Sequence, residues 1–304
     1  MYEQLGYYLC SNKKFESKIQ ALMYSALSRQ TVSWHFNNEV FDQYPWDQEP
    51  ESSLDELYDR RARQIREEYD YVMLSYSGGS DTHNILESFL RQNLFIDEVV
   101  TNWSLDASEK YLVFDHNEKS SWNINAEFKL NAVEKLNYIK NKSPNTKITV
   151  NDTSRALIDS FLSADDASWV QKKREVLNPN GTNNFNFTYF KSIRETFDRG
   201  RKIALIVGLD KPKIKINDNQ LYLLFIDKIA NIISVQDHIE DYPNAEPVLF
   251  YWSPHSCDIL AKQAHTMLKY INANPKYKSL FETPPTYEAR NMQEHVTKHV
   301  VYTT

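Results

Sequence analysis

The stretch Tyr71-Val72-Met73-Leu74-Ser75-Tyr76-Ser77-Gly78-Gly79-Ser80-Asp81-Thr82 decides how this chain is read. Its first half is a short apolar run without helical spacing, which predicts a buried strand over 71–76. After the glycines, Ile85, Leu86, Phe89 and Leu90 recur at helical spacing and predict a helix leading away from the turn. Ile96-Asp97-Glu98-Val99-Val100-Thr101 predicts the next strand. Strand, glycine turn, helix and strand make the parallel α/β unit. The expected fold class is therefore α/β, a parallel sheet inside a three-layer α/β/α core.

Outward from this unit the signals thin. Lys202-Ile203-Ala204-Leu205-Ile206-Val207 is a nearly unbroken apolar run, suited to a strand of a sheet covered on both faces. Lys147–Asn151 predicts a further strand, Arg155–Leu162 a helix, and Asn178–Asn184 a loop. Lys213–Ile216 and Leu221–Phe225 flank Asn217-Asp218-Asn219-Gln220, a hairpin signal. Val248–Pro254 precedes a helix carrying Ile259, Leu260, Ala264, Met267, Leu268 and Ile271. Upstream, Ser53 is placed as an N-cap with Glu56 closing a capping box, and Leu54, Leu57, Ala62 and Ile65 give that helix an apolar face. Its basic side, Arg60, Arg61, Arg63 and Arg66, is expected to pair with Asp55, Asp59, Glu67 and Glu68. Phe15–Leu27 carries helical signals and Thr31–Phe36 is aromatic and strand-like. The organisation expected is an α+β extension over 1–66, an α/β core over 67–212, and a hairpin and helical region over 213–304 that completes the pocket.

Glycine is scarce, six residues in 304, and two of the six are adjacent at the point where a strand must turn into a helix. A glycine pair there admits backbone angles closed to other residues and lets an anion approach the main chain. The helix that follows offers free N–H groups and a partial positive charge. Ser75, Ser77, Ser80 and Thr82 add hydroxyls, so the segment reads as a nest for a polyanion such as pyrophosphate. It contains no G-x-x-x-x-G-K-[ST], which excludes a Walker loop, and no G-x-G-x-x-G follows any predicted strand.

Ser77-Gly78-Gly79-Ser80-Asp81-Thr82, with a strand before it and a helix after, resembles the SGGxDS signature of the PP-loop, or N-type ATP pyrophosphatase, superfamily. Thr82 replaces the final serine and keeps its hydroxyl. The Gly208-Leu209-Asp210-Lys211-Pro212 turn, the Phe250-Tyr251-Trp252-Ser253-Pro254 segment and the helix before the loop look like those of PP-loop proteins of phages. The resemblance implies ATP and Mg²⁺ as cofactors and cleavage of ATP between its α- and β-phosphates. An acceptor is adenylated, pyrophosphate leaves, and an amine or ammonia displaces AMP. It places Ser77, Gly78, Gly79, Ser80, Asp81 and Thr82 around the β- and γ-phosphates, with Asp81 also a Mg²⁺ candidate. It puts the adenine near Asn102 and Trp103, although Trp103 also suits a core position. The implied acceptor is a small molecule or a nucleobase. A sulfonucleotide reductase or sulfurtransferase activity is the alternative within the fold, and a non-catalytic nucleotide-binding protein is the alternative outside catalysis. Two distant cysteines, Cys10 and Cys257, with no C-x-x-C, argue against the sulfur branch, and the start Met1-Tyr2 provides no N-terminal cysteine for a fused glutaminase.

Ligands of an open α/β sheet gather at the carboxyl ends of the strands. This places Lys211 to neutralise phosphate charge and Asp210 to hold Mg²⁺ or an acceptor amine, the alternative being a solvated turn. His255 and Cys257, with His265 later, match no zinc spacing and fit a helix start better. His295 and His299 lie four apart on a possible helix without a third ligand. Lys172-Lys173-Arg174 and Arg199-Gly200-Arg201-Lys202 read as solvated faces or helix ends before phosphate-tracking grooves. A net charge of −6 does not predict global steering towards nucleic acid, which leaves a local basic groove open. No apolar run approaches the ~20 residues of a membrane span. The N-terminus lacks the basic start and apolar core of a signal peptide, so a cytoplasmic location is expected, that of the host for a viral chain.

Overall fold

Five parallel strands carry the centre of the molecule in a computed structural model that describes residues 6–15, 18–103, 106, 128–152, 154, 193, 195–208, 213–224, 242–282 and 286–302. In chain order the strands are β1 (Tyr7–Cys10), β2 (Lys13–Phe15), β3 (Val32–His35), β4 (Tyr71–Ser75), β5 (Glu98–Trp103), β6 (Lys147–Asp152), β7 (Ile203–Val207), β8 (Lys213–Asn217), β9 (Gln220–Leu224) and β10 (Ala245–Val248). The helices are α1 (Lys18–Ser28), α2 (Asn38–Phe41), α3 (Leu54–Glu68), α4 (Ser80–Leu90), α5 (Val133–Lys142), α6 (Cys257–Ala273), α7 (Lys278–Glu282) and α8 (Tyr287–Val301), with a π-helical turn, Phe128–Ala132, leading into α5.

The central sheet has the order β10-β7-β4-β5-β6, and each neighbouring pair is parallel. The first of these strands in the chain, β4, therefore lies in the middle. The chain proceeds outward through β5 and β6 on one side and through β7 and β10 on the other. The order reverses between β4 and β7, and that is where a doubly wound sheet opens a crevice at its carboxyl edge. Val72, Met73 and Leu74, Val99 and Val100, and Ala204, Leu205 and Ile206 are all buried, as expected of strands covered on both faces.

Strand β5 begins two residues later than its apolar pattern predicts because Asp97 has another task. Its carboxylate takes the N–H of Val72 at 2.8 Å and the guanidinium of Arg66 at 2.6 Å, so it forms the corner entering the sheet. Strand β10 was not foreseen. It is four residues long and contains Pro247, which argues against a strand except at an edge, and among the described strands it is one.

The capping box forms as read: Ser53 Oγ accepts from Glu56 N–H, and the Glu56 carboxylate accepts from Ser53 N–H at 2.7 Å. The predicted apolar face of α3 is buried throughout. Its arginines depart from expectation. Arg66 reaches Asp97, buried Arg61 donates to the carbonyl of Leu249, Arg63 reaches Gln92 and Arg60 lies 3.7 Å from Asp258. Asp55 and Asp59 pair instead with Arg91 on α4. These are contacts between elements, which local spacing cannot foresee.

Helix α3 lies against α4 and α6, and the β8–β9 hairpin packs with α6, α7 and α8. Asp218 and Asn219 turn the hairpin with φ of 49° and 59°, the left-handed pair that Asp and Asn tolerate. Near the N-terminus, β2-β1-β3 form an antiparallel sheet in contact with α1. Among the described residues no helix is long and apolar enough to cross a membrane.

Candidate functional site

Ser75 ends β4 in register with Val100 on one side and Val207 on the other, so the turn that follows emerges at the point where the strand order reverses. Tyr76 N–H still donates to the Val100 carbonyl at 2.8 Å, and then the chain leaves the sheet. Gly78 has φ +79°, in the left-handed region. A Cβ there would stand 2.9 Å from the Ala132 Cα, so the π-helical turn approaches the loop too closely for any side chain. Two donors from the same segment reach the Gly78 carbonyl: Asn131 Nδ2 at 3.2 Å and Lys135 Nζ at 2.7 Å. A lysine charge is thereby fixed against the glycine pair.

Gly79 is the N-cap of α4 and has no side chain to close that end. The first helical bond runs from His83 N–H to the Gly79 carbonyl, so the first-turn N–H groups of Ser80, Asp81 and Thr82 have no acceptor within the helix. Ser77 and Ser80 are exposed on either side of the turn, and Ser77 Oγ accepts from Gly79 N–H at 3.2 Å. Open N–H groups, two exposed hydroxyls and a nearby ammonium suit an anion with several oxygens.

Asp81 faces the other way. Its Oδ1 accepts from the Tyr302 hydroxyl at 2.6 Å and its Oδ2 lies 2.9 Å from Lys298 Nζ, while its backbone carbonyl accepts from Tyr251 at 2.9 Å. Lys298 also pairs with Glu294 at 2.8 Å. Burial works to lower the Lys298 pKa, and Asp81 and Glu294 outweigh it, so the ammonium is held above the ordinary lysine range. Tyr302 is buried and stacks on Tyr251. The carboxylate read as a Mg²⁺ ligand is thus a tie between the loop and α8. Holding a metal through it requires those two bonds to yield, and among the described residues no group of three His, Cys, Asp or Glu side chains converges on a metal position.

Thr82 is buried rather than open. Its hydroxyl donates to the Gly79 carbonyl at 3.2 Å, and its methyl would lie 2.5 Å from a Cβ placed on Gly208. Gly208 therefore lets the end of β7 come against the first turn of α4, which brings the start of the Gly208–Pro212 turn beside the loop. Asp210 and Lys211 themselves lie outside the described residues. Asn102 sits at the carboxyl end of β5 and accepts from Asn151 at 2.8 Å, and Trp103 donates to Thr101 and packs near Phe128. Helix 155–162, loop 178–184 and the Lys172–Arg174 cluster also lie outside the described residues.

Compared with known proteins, the chain matches no protein-family model and no curated sequence. The site therefore rests on its own geometry.

The remaining candidates separate. His255 is exposed, Cys257 donates to the Pro254 carbonyl, and His265 contacts the Trp46 carbonyl at 3.0 Å. His295 and His299 are both exposed on α8. Both cysteines are buried and free, and burial, reinforced by Asp258, pushes the Cys257 thiol up to about 11. That opposes a thiolate nucleophile.

Sequence reasoning missed Lys135, Asn131, Lys298, Tyr251 and Tyr302. Lys135 follows Ala132 and precedes Leu136 and Ile139, the buried stripe of α5, so its helix face was readable in principle. Nothing local distinguished it from Lys140 or Lys142.

Proposed function

We propose that the loop 75–82 binds the polyphosphate end of ATP and that the chain is an ATP pyrophosphatase-type enzyme. On this reading ATP is cleaved between its α- and β-phosphates to adenylate a small-molecule or nucleobase acceptor, and an amine or ammonia then displaces AMP. One observation carries it: an uncapped helix N-terminus behind a left-handed glycine lies at the reversal point of a doubly wound parallel sheet, with a lysine ammonium held 2.7 Å from the glycine carbonyl. A Walker-type reading lacks its lysine and hydroxyl spacing. The sulfur-transfer reading is opposed by the raised Cys257 thiol.

In this reading Ser77, Gly78, Gly79 and Ser80 line the mouth, and Lys135 supplies charge to the leaving pyrophosphate. Asp81 positions the first turn of α4, and Mg²⁺ enters only as the ion that travels with the polyphosphate. Lys211 and Asp210 stay in the proposal as expected helpers from the Gly208–Pro212 turn.

The test is incubation of the full chain with ATP labelled at the α-phosphate, Mg²⁺, and panels of acceptors and amines. AMP and pyrophosphate in equal amounts support the reading, and ADP as the sole product refutes it. Equilibrium binding of inorganic pyrophosphate tests the loop without an acceptor.

A further inference from the structure

Helix α1 turns its small and polar side inward and its apolar side out. At 100° per residue Ala21, Tyr24, Ser25 and Ser28 fall on one side, and Ile19, Leu22, Met23, Ala26 and Leu27 fall on the other. The first side lies on the β2-β1-β3 sheet. Ala21 is buried, Cys10 Sγ is 3.8 Å from Ser28 Oγ, and the rings of Phe15 and Tyr24 are 5.3 Å apart. The second side meets solvent: Leu22, Met23 and Leu27 are 51%, 59% and 86% exposed, and Ala26 is exposed between them. A surface helix ordinarily does the reverse, and the spacing i, i+3, i+4, i+7, i+8 is that of a stripe packed against another element.

Charge decides what fits this stripe. It carries no ionisable residue. Lys13 Nζ lies 5.0 Å from the Tyr24 ring centre and Lys18 Nζ 6.0 Å from that of Tyr8, both on the sheet side, and Arg29 stands beyond the end of the helix. A helix that lies on a membrane borders its apolar face with cations for the lipid headgroups, and α1 lacks that border. An uncharged stripe is instead compatible with itself. Two copies related by a two-fold axis, with α1 antiparallel, set Leu22 beside Leu27 and the long Met23 over the small Ala26, and they oppose the two helix dipoles. Leu22, Met23 and Leu27 amount to about two fully exposed large side chains per copy. The area a pair would bury is on the order of 800 Å², which belongs to weak, reversible association and falls short of the ~1,200 Å² of a standing complex.

We infer that α1 is a homodimer surface, through which two copies of this chain pair reversibly by Leu22, Met23, Ala26 and Leu27. The inference does not depend on the loop at 75–82, and either reading can fail alone.

The experiment is sedimentation equilibrium of the full chain from about 5 to 500 μM, where a monomer–dimer equilibrium is expected with its midpoint at roughly tens to hundreds of micromolar. Leu27→Glu alters the most exposed side chain of the stripe, so circular dichroism should show the fold unchanged. It removes an apolar contact from both copies and should weaken association at least about 100-fold, which leaves monomer over the whole range. Leu27→Met keeps the dimer, and Met23→Lys repeats the test at a second exposed position. Tyr222→Glu, at an exposed position on the β8–β9 hairpin, should leave association as it is in the wild type. A wild type that is monomeric at every concentration, or a dimer that Leu27→Glu and Met23→Lys leave intact, overturns the proposal. So does a monomer that binds phosphatidylcholine vesicles and loses them with Leu27→Glu, which would make the stripe a lipid-binding face.

Discussion

Replacing Tyr302 with Phe tests whether Asp81 ties the loop to the C-terminal helix. The substitution keeps the ring, so the stack on Tyr251 at 5.7 Å and the burial of the side chain persist. It removes one hydroxyl, the donor to Asp81 Oδ1 at 2.6 Å. A hydrogen bond to a charged acceptor is worth about 1.5–3 kcal/mol, and the carboxylate left behind is largely buried, at 14% exposure, so water recovers little of that. Lys298 still holds the other oxygen, so the loss is limited to this one bond. For a chain of this length the expected fall in Tm is roughly 3–6 °C. Urea denaturation followed by circular dichroism measures the energy directly. A cycle with Asp81→Asn should give a coupling of about 1.5–3 kcal/mol, and the freed first turn of α4 should bind inorganic pyrophosphate several-fold more weakly by calorimetry. Additivity of the two changes within about 0.5 kcal/mol would show that the two side chains do not interact and would refute the tie.

Gly78→Ala forces a left-handed alanine at about 1–2 kcal/mol and drives a Cβ against the Ala132 backbone for a further 1–3 kcal/mol or so, so both Tm and pyrophosphate affinity should fall together; wild-type affinity in a folded variant would remove the loop from the site. Lys135→Met should weaken pyrophosphate binding about 10- to 150-fold, the equivalent of one charge-assisted contact, and lower Tm by a few degrees through the lost bond to the Gly78 carbonyl; an unchanged affinity by calorimetry would place the ammonium outside the site. Tyr58, Tyr69, Tyr76 and Tyr302 are buried, and desolvation holds each well above the ordinary tyrosine range. Because the folded pKa values are raised, their contribution is intact below the unfolded value near pH 10 and is lost as pH rises above it. Four such groups give a slope approaching ~5 kcal/mol per pH unit, so the fold should collapse cooperatively within about one to three units above pH 10. Tyrosinate absorbance that rises fully while the circular dichroism stays native would contradict this.

The sequence by itself determined the elements whose cause is local. The apolar runs of β4 and β7 need cover on both faces, and the Ser53–Glu56 box closes over three residues. The glycine pair marks a turn that suits an anion beside a helix start. Each of these follows from periodicity, capping or backbone freedom within a few residues. Tertiary structure alone decided what that turn touches. The order β10-β7-β4-β5-β6 put it at the reversal of the sheet, and Gly208 let β7 close against Thr82. Lys135 arrived from 57 positions along the chain and Tyr302 from 221, and together they set which groups of the loop stay open and which are tied inward. A polar contact at such separation leaves no periodic trace, because its energy depends on distance in space and the sequence records only distance along the chain. The same reason hid the fate of Asp81: its place in the motif was legible, but its partners were not.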